Sequence, residues 1–227
     1  MSERRPKTVT QSEAWEAVAG RWADVVRGGE PDAQLTGFLE LLPSPGRLAL
    51  DLACGEGRVA RALSERGYRV VGVDSSPTLV RLARETDPGG TYDVGDAARL
   101  EFEDGAFDLV IVFMSLQDVD DAVAVLREAG RVLEAGGRLC LALIHPIWTA
   151  GEIDEDGDRL VIRGSYLATV PHIRPELQVP SVHRPLSAYF RGLEEGGFLV
   201  ETLRELSLPH RLGGRLPVFL HIRAVKH

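Results

Sequence analysis

An acid just ahead of two glycines is the first feature with chemical content: Asp51-Leu52-Ala53-Cys54-Gly55-Glu56-Gly57. Glycines at a strand-to-helix turn let the backbone approach a ligand closely, and the start of the helix offers free N–H groups. Gly55-x-Gly57-x-x-Ala60 formally satisfies the dinucleotide fingerprint, a weak signal alone because any tight turn needs such glycines. Asp51 adds the discrimination. A carboxylate there repels a pyrophosphate and attracts an ammonium or sulfonium. Asp74 stands 17 residues after Gly57, at the end of the next apolar run, where an acid accepts hydrogen bonds from ribose hydroxyls. Gly95-Asp96-Ala97 closes a third run, and Asp96 is placed there to accept from an exocyclic amine.

All six histidines, His145 to His227, lie beyond residue 144. An unperturbed pKa near 6.5 suits imidazole to proton transfer. His145 ranks first as a catalytic candidate, because Leu143-Ile144-His145-Pro146 ends a strand at the edge where open α/β sheets bind ligands. His183, in Ser181-Val182-His183-Arg184-Pro185, ranks second. Each competes with a histidine hydrogen-bonded only for structure. His145→Ala is expected to spare cofactor affinity and lower turnover. Trp148, Tyr166 and His172 are the expected substrate-lining residues between them. Trp15 and Trp22, seven residues apart on an amphipathic helix, either pack on the domain or close over a ligand.

No metal is expected. Cys54 and Cys140 cannot complete a zinc site by themselves. The acidic run Asp154–Asp158 misplaces the glycine of a calcium loop and has Ser165 where the closing Glu belongs. Asp156-Gly157 reads as a hairpin turn instead.

The elements that position these residues alternate from Arg47 onward. The apolar pattern predicts strands at 47–53, 69–74, 91–94, 107–113 and 138–144. It predicts helices at 57–66, at 77–85 with Ser76 as cap and Pro77 first, and at 119–133. Such alternation means right-handed crossovers and a doubly wound, mostly parallel α/β sheet. Near the end, a helix over 186–195 leads to strands over 198–206 and 216–225, which must pair antiparallel. Residues 1–46 read as an N-terminal helical cap, and 145–185 as a substrate-covering insertion in the main domain, 47–227.

The net charge is −8, and it is unevenly placed: residues 1–144 hold 16 basic and 24 acidic residues, 145–227 hold 10 of each. That balance argues against a nucleic-acid partner bound through a general basic field. No apolar run reaches the ~18–20 residues of a membrane helix, and the arginines at 4 and 5 are not followed by the apolar stretch of a signal peptide. A cytoplasmic protein, monomer or homodimer, acting on a small molecule is the expectation.

Five blocks in order and register resemble the class I S-adenosylmethionine-dependent methyltransferases, of the small-molecule, UbiE or methyltransferase-11-like type. They are Leu50–Gly57, Gly72-Val73-Asp74-Ser75-Ser76, Gly95-Asp96-Ala97, Asp104–Val110, and Glu128-x-x-Arg131 through Leu139. The resemblance covers about residues 46–144 and implies a Rossmann-like, seven-stranded sheet with one antiparallel strand near its end. It implies S-adenosylmethionine as cofactor and S-adenosylhomocysteine as product. By the same resemblance, Asp51, Ala53, Gly55 and Gly57 cradle the methionine part and Asp74 holds the ribose. Ser75 and Leu79 lie near the adenine, Asp96 and Ala97 meet its amine and ring, and Phe113 and Met114 line the sulfonium region. Gln117 stands where many small-molecule members carry a histidine, so any base must come from elsewhere. O-methylation is the first expectation, N- or C-methylation the next. The rivals are a protein of the same fold that binds the cofactor without transfer, and a nicotinamide-dependent oxidoreductase.

Overall fold

The computed structural model describes residues 9–28, 33–174 and 178–227; the arginines at 4 and 5 fall outside them. Two helices come first, α1 (Gln11–Gly28) and α2 (Ala33–Leu39). Then follow β1 (Ala49–Leu52), α3 (Arg58–Ser64), β2 (Val70–Asp74), α4 (Pro77–Thr86), β3 (Thr91–Val94), β4 (Phe107–Phe113), α5 (Ala122–Val132) and β5 (Leu133–Ile144). The segment after β5 holds α6 (Pro146–Ala150), β6 (Gly151–Ile153), β7 (Leu160–Ile162), β8 (Val170–Arg174) and β9 (Val179–His183). The chain closes with α7 (Leu186–Glu195), β10 (Phe198–Ser207) and β11 (Pro217–Lys226).

Seven strands form one sheet in the order β10-β11-β5-β4-β1-β2-β3. The pairs among β1 to β5 are parallel, and β11 runs antiparallel to both β5 and β10. The terminal hairpin therefore folds back so that its second strand sits inside and its first lies at the edge. β1 lies between β2 and β4, so successive crossovers leave it in opposite directions. That is the switch point at which open α/β sheets bind ligands, outside the carboxyl ends of the strands.

Strand alternation sorts the core onto two faces. Leu50, Leu52, Val110, Val112, Leu139 and Leu141 pack against α5 and α7 through Leu126, Ala129 and Leu193. Ala49, Leu109, Ile111, Phe113, Cys140 and Ala142 pack on the other face with Phe38, Val59 and Leu63. Both cysteines are buried and free.

Boundaries moved where local caps compete with periodicity. The helix expected from residue 119 begins at Ala122, because the Asp121 side chain accepts from the N–H groups of Val123 and Ala124 at 3.0 Å. The strand expected from 138 starts at Leu133 and pairs early with Phe107. Residues 145–185 contain two small antiparallel hairpins, β6–β7 and β8–β9. The first turns at Gly157, whose φ of +74° suits a residue without a side chain. Among the described residues no helix is long and apolar enough to cross a membrane, and no three His, Cys, Asp or Glu side chains are grouped to hold a metal.

Candidate functional site

A cavity of about 1100 Å³ opens at the carboxyl ends of β1 and β4. Single-ligand sites commonly occupy ~300–1,000 Å³, so this one stands at the large end of that range. Its floor is the turn after β1. Gly55 has φ +58°, and a Cβ added there would meet nothing within 4 Å, which leaves open space against the backbone. Gly57 has φ +84° and faces the Tyr92 ring, 2.9 Å from where a Cβ would sit, so it shapes the turn from behind and does not line the cavity. Ala53 and Met114, directly after β1 and β4, also have positive φ values of 60° and 58°. Left-handed backbone costs a residue with a Cβ about 1 kcal/mol or more and persists where surrounding structure holds it, commonly at ligand sites.

Two carboxylates tip the floor. Asp74 accepts from Gly55 N–H at 2.8 Å and from Ser76 N–H at 2.9 Å, which fixes the glycine turn to β2. Burial pushes its carboxyl above the usual range in spite of those two donors. Asp51 is fully buried, and its Oδ2 has no partner among the described residues. Burial, and then the neighbouring Asp74, push its pKa up to about 7. A buried carboxylate with an open oxygen beside a glycine cradle is completed by a cationic ligand. The sulfonium and ammonium of S-adenosylmethionine fit this set; Asp51 would face the charged end and Asp74 the ribose.

The cavity brings together Asp51, Ala53, Gly55, Asp74, Ser75, Leu79, Asp96, Ala97, Phe113 and Met114, and Trp15 and Trp22 line it as well. The two tryptophan rings meet edge to face at 5.6 Å. Helix α1 is clasped over the site by Glu16. Ser76 and Thr78 donate their hydroxyls to its carboxylate, Thr78 at 2.6 Å, and Thr78 N–H adds a bond at 3.3 Å. Burial raises the Glu16 carboxyl, and these hydrogen bonds outweigh it, leaving the group below its ordinary value. From the other side Gln34 of α2 donates to the Met114 sulfur at 2.7 Å. Glu16→Ala is expected to weaken S-adenosylhomocysteine binding about tenfold, or ~1.4 kcal/mol, in calorimetric titration.

The two candidate histidines, His145 and His183, lie outside the lining of this cavity. His145 caps α6, its Nδ1 accepting from Ile147 N–H at 3.2 Å. Its Nε2 lies 3.0 Å from a Glu205 oxygen, and burial pushes its pKa down against the opposing pull of that carboxylate. His183 has both ring nitrogens engaged, Nδ1 with the Thr149 hydroxyl at 2.7 Å and Nε2 with the Tyr166 carbonyl at 2.8 Å. Trp148, Tyr166 and His172 also stand off the cavity, around α6 and the hairpins. The expectation for His145→Ala therefore changes: turnover is retained, and stability falls by about 1 kcal/mol from the lost cap, measured as a lower Tm at equal kcat.

Sequence reasoning passed over Asp118, Arg174 and Arg58, all of which line the cavity. Asp118 follows β4 and binds Arg174, the last residue of β8, at 2.7 Å. Burial raises the Asp118 carboxyl against the opposing pull of Arg174. The Arg174 guanidinium also lies 6.0 Å from the Trp15 ring, and that of Arg58 5.4 Å from the Phe113 ring. The available signal was position: an acid just beyond the carboxyl end of a central strand.

Sheet order, switch point and acid-tipped glycine floor define a Rossmann-like fold built for a cationic nucleoside. Residues 50–141 match the family model described as a methyltransferase domain. The chain is 42% identical over 109 residues to the demethylmenaquinone methyltransferase of Beutenbergia cavernae, covering 48% of this chain and 45% of that protein. It is 35% identical over 121 residues to the ubiquinone/menaquinone biosynthesis C-methyltransferase UbiE of Caulobacter vibrioides, 47% of this chain and 48% of that one. The chain thus spans about half the length of these curated relatives. The crystal structure of an S-adenosylmethionine dependent methyltransferase from Mesorhizobium loti superposes with a TM-score of 0.72 at 27% identity, over 89% of this chain and 100% of that one. These likenesses make the chain similar to the class I S-adenosylmethionine-dependent methyltransferases and support S-adenosylmethionine as its cofactor.

Proposed function

We propose that the protein methylates a small, electron-rich metabolite held beside the cofactor in the cavity of α1, β1, β4 and β8. One observation carries this reading: the cavity that holds the acid-tipped floor is also lined by the rings of Trp15, Trp22, Phe113 and Phe219. Oxygen is the first choice of methyl-accepting atom. A carbon activated by a neighbouring hydroxyl is the second, which the curated C-methyltransferase relative supports. Residues 1–46 act as a cap and 145–185 as the cover over the acceptor; α1 and Arg174 at the cavity wall support that division. The acidic balance supports a metabolite over a nucleic acid, and the two free cysteines support a reducing compartment such as the cytoplasm.

When bound, S-adenosylmethionine supplies a methyl group made electrophilic by its positively charged sulfur. The chain's own work is to hold, align and dry the site. Asp51 and Asp74 neutralise and anchor the cationic nucleoside. The aromatic wall fixes the acceptor's plane, and helices α1 and α2 shut out water, so reacting atoms meet in line without solvent reorganisation. No histidine among the described residues lines the cavity to take the acceptor's proton.

The test is a melting scan followed by label transfer. S-adenosylhomocysteine should raise Tm and NAD should not. Label should then pass from methyl-tritiated cofactor to members of a panel of phenols and hydroquinones. Stabilisation by NAD alone would return the oxidoreductase reading. Stabilisation by S-adenosylhomocysteine with no transfer to any acceptor would favour a binding protein of the same fold.

A further inference from the structure

We propose that Arg184 is a positioning residue: it fixes the turn after β4 to the 145–185 segment, and through that turn it holds helix α1 closed over the cofactor half of the cavity. The inference deepens the methyl-transfer reading and rests on its cofactor assignment. Arg184 directly follows β9 and does not line the cavity. The residue is 6% exposed, and its guanidinium donates to the carbonyls of Leu116 at 3.1 Å, Val119 at 2.6 Å and Asp120 at 2.9 Å. The Tyr189 hydroxyl is hydrogen-bonded to it as well. A guanidinium is a rigid planar fork, so carbonyls bound to it are fixed relative to one another. A lysine ammonium on its flexible stem cannot reproduce that.

Every residue from Leu116 to Asp120 is held by the 145–185 segment. Ser181 of β9 donates its hydroxyl to the Gln117 carbonyl at 3.0 Å and is bonded to the Asp118 carboxylate, which also takes Arg174 of β8 at 2.7 Å. The far end of the turn meets α1. The Asp120 carboxylate accepts from the N–H of Gln11, the first residue of that helix, at 3.3 and 3.4 Å. This N–H is one of the donors that a helix start leaves unpaired, and an acid there also suits the positive end of the helix dipole. Asp118, Val119 and Asp120 line the cavity, as do Gln11, Ser12 and Trp15 of α1. The path from segment to cap therefore runs from Arg184 through the Asp120 carbonyl and carboxylate to the Gln11 N–H. Glu16 ties the same helix to Thr78 of α4 on the cofactor side. Helix α1 is thus pinned at two points, and freeing one leaves it hinged on the other.

Hydrogen exchange of the ligand-free protein and calorimetric titration with S-adenosylhomocysteine read the two consequences. Arg184→Lys keeps the charge and gives up the fork. It should speed exchange at residues 11–20 about threefold or more, leave residues 50–58 unchanged, and weaken S-adenosylhomocysteine about fivefold. Asp120→Ala removes only the last link, on an exposed side chain, and should give the same pattern with Tm within about 2 °C of wild type. Because both changes break one path, the double variant should bind within about twofold of the weaker single one. A residue that only packs would lower Tm and leave α1 exchange and affinity as in wild type. That outcome, faster exchange spread over every element, or fully additive losses overturns the proposal. If Arg184→Lys fails to fold, Ser181→Ala, which frees the same turn at Gln117, takes its place with the same expected pattern. Failure of wild type to bind S-adenosylhomocysteine overturns the cofactor reading, while the ligand-free exchange still decides the coupling.

Discussion

Asp51→Asn should weaken S-adenosylhomocysteine binding ten- to a hundredfold at pH 8 and at the same time stabilise the ligand-free protein. The first effect is the loss of a charged hydrogen bond, ~1.5–3 kcal/mol. The second follows from burial. The folded-state pKa of Asp51 is about 7 against an ordinary value of 3.8, so between these values the folded chain holds a proton that the unfolded chain releases. Its share of stability is full below about pH 4, declines as pH rises, and is gone above about pH 7. At ~1.4 kcal/mol per unit the total is on the order of 4 kcal/mol at most. The ligand's ammonium favours the ionised form, so wild-type binding should release up to one proton below pH 7 and tighten with rising pH until that point. Titration in two buffers of different ionisation enthalpy, over pH 5.5 to 8, measures the proton. An affinity that is flat with pH, or an Asn variant that binds as wild type does, removes Asp51 from the cofactor site.

Gly130→Ala should cost about 3 kcal/mol of stability without touching the site. Gly130 lies in α5 where the helix crosses the end of α7, and a Cβ there would fall 2.1 Å from the Gly196 carbonyl oxygen. Both partners are backbone, so relief requires the two helices to separate and the core around Leu126 and Leu193 to open. For a chain of this size that is a fall in Tm of roughly 6–12 °C. S-adenosylhomocysteine affinity at 20 °C should stay within twofold, because no residue of this contact lines the cavity. Gly20→Ala is the control: nothing lies within 4 Å of its added Cβ, and an alanine in the middle of α1 should gain ~0.5–1 kcal/mol. Equal Tm values for the two variants would show that α5 and α7 do not pack as described.

The contrast between elements and site shows where sequence reading stops. The strand at Phe107–Phe113 and the helix at Leu186–Glu195 agree at both ends, since apolar period and flanking turn residues are written into contiguous sequence. The glycine turn was equally legible, because a positive φ at Gly55 and Gly57 is a demand on two named positions. The start of α5 was not, because the string Asp118-Val119-Asp120-Asp121 offers several caps and only packing selects Asp121. The setting of His145 was not legible for a related reason. Its place at the strand's end was read correctly, but which way its ring turns depends on Ile147 and on Glu205, 60 residues further on.

By itself, then, the sequence determined a doubly wound sheet and the acid-and-glycine crevice for a cationic nucleoside, because strand ends, turns and caps are set by neighbours in the chain. Only the tertiary structure decided the other half of the cavity. Glu16 meets Thr78 across 62 residues, and Asp118 meets Arg174 across 56. Such pairs are fixed by how α1 and the β8–β9 hairpin dock on the sheet, and no local pattern of residue types encodes that docking.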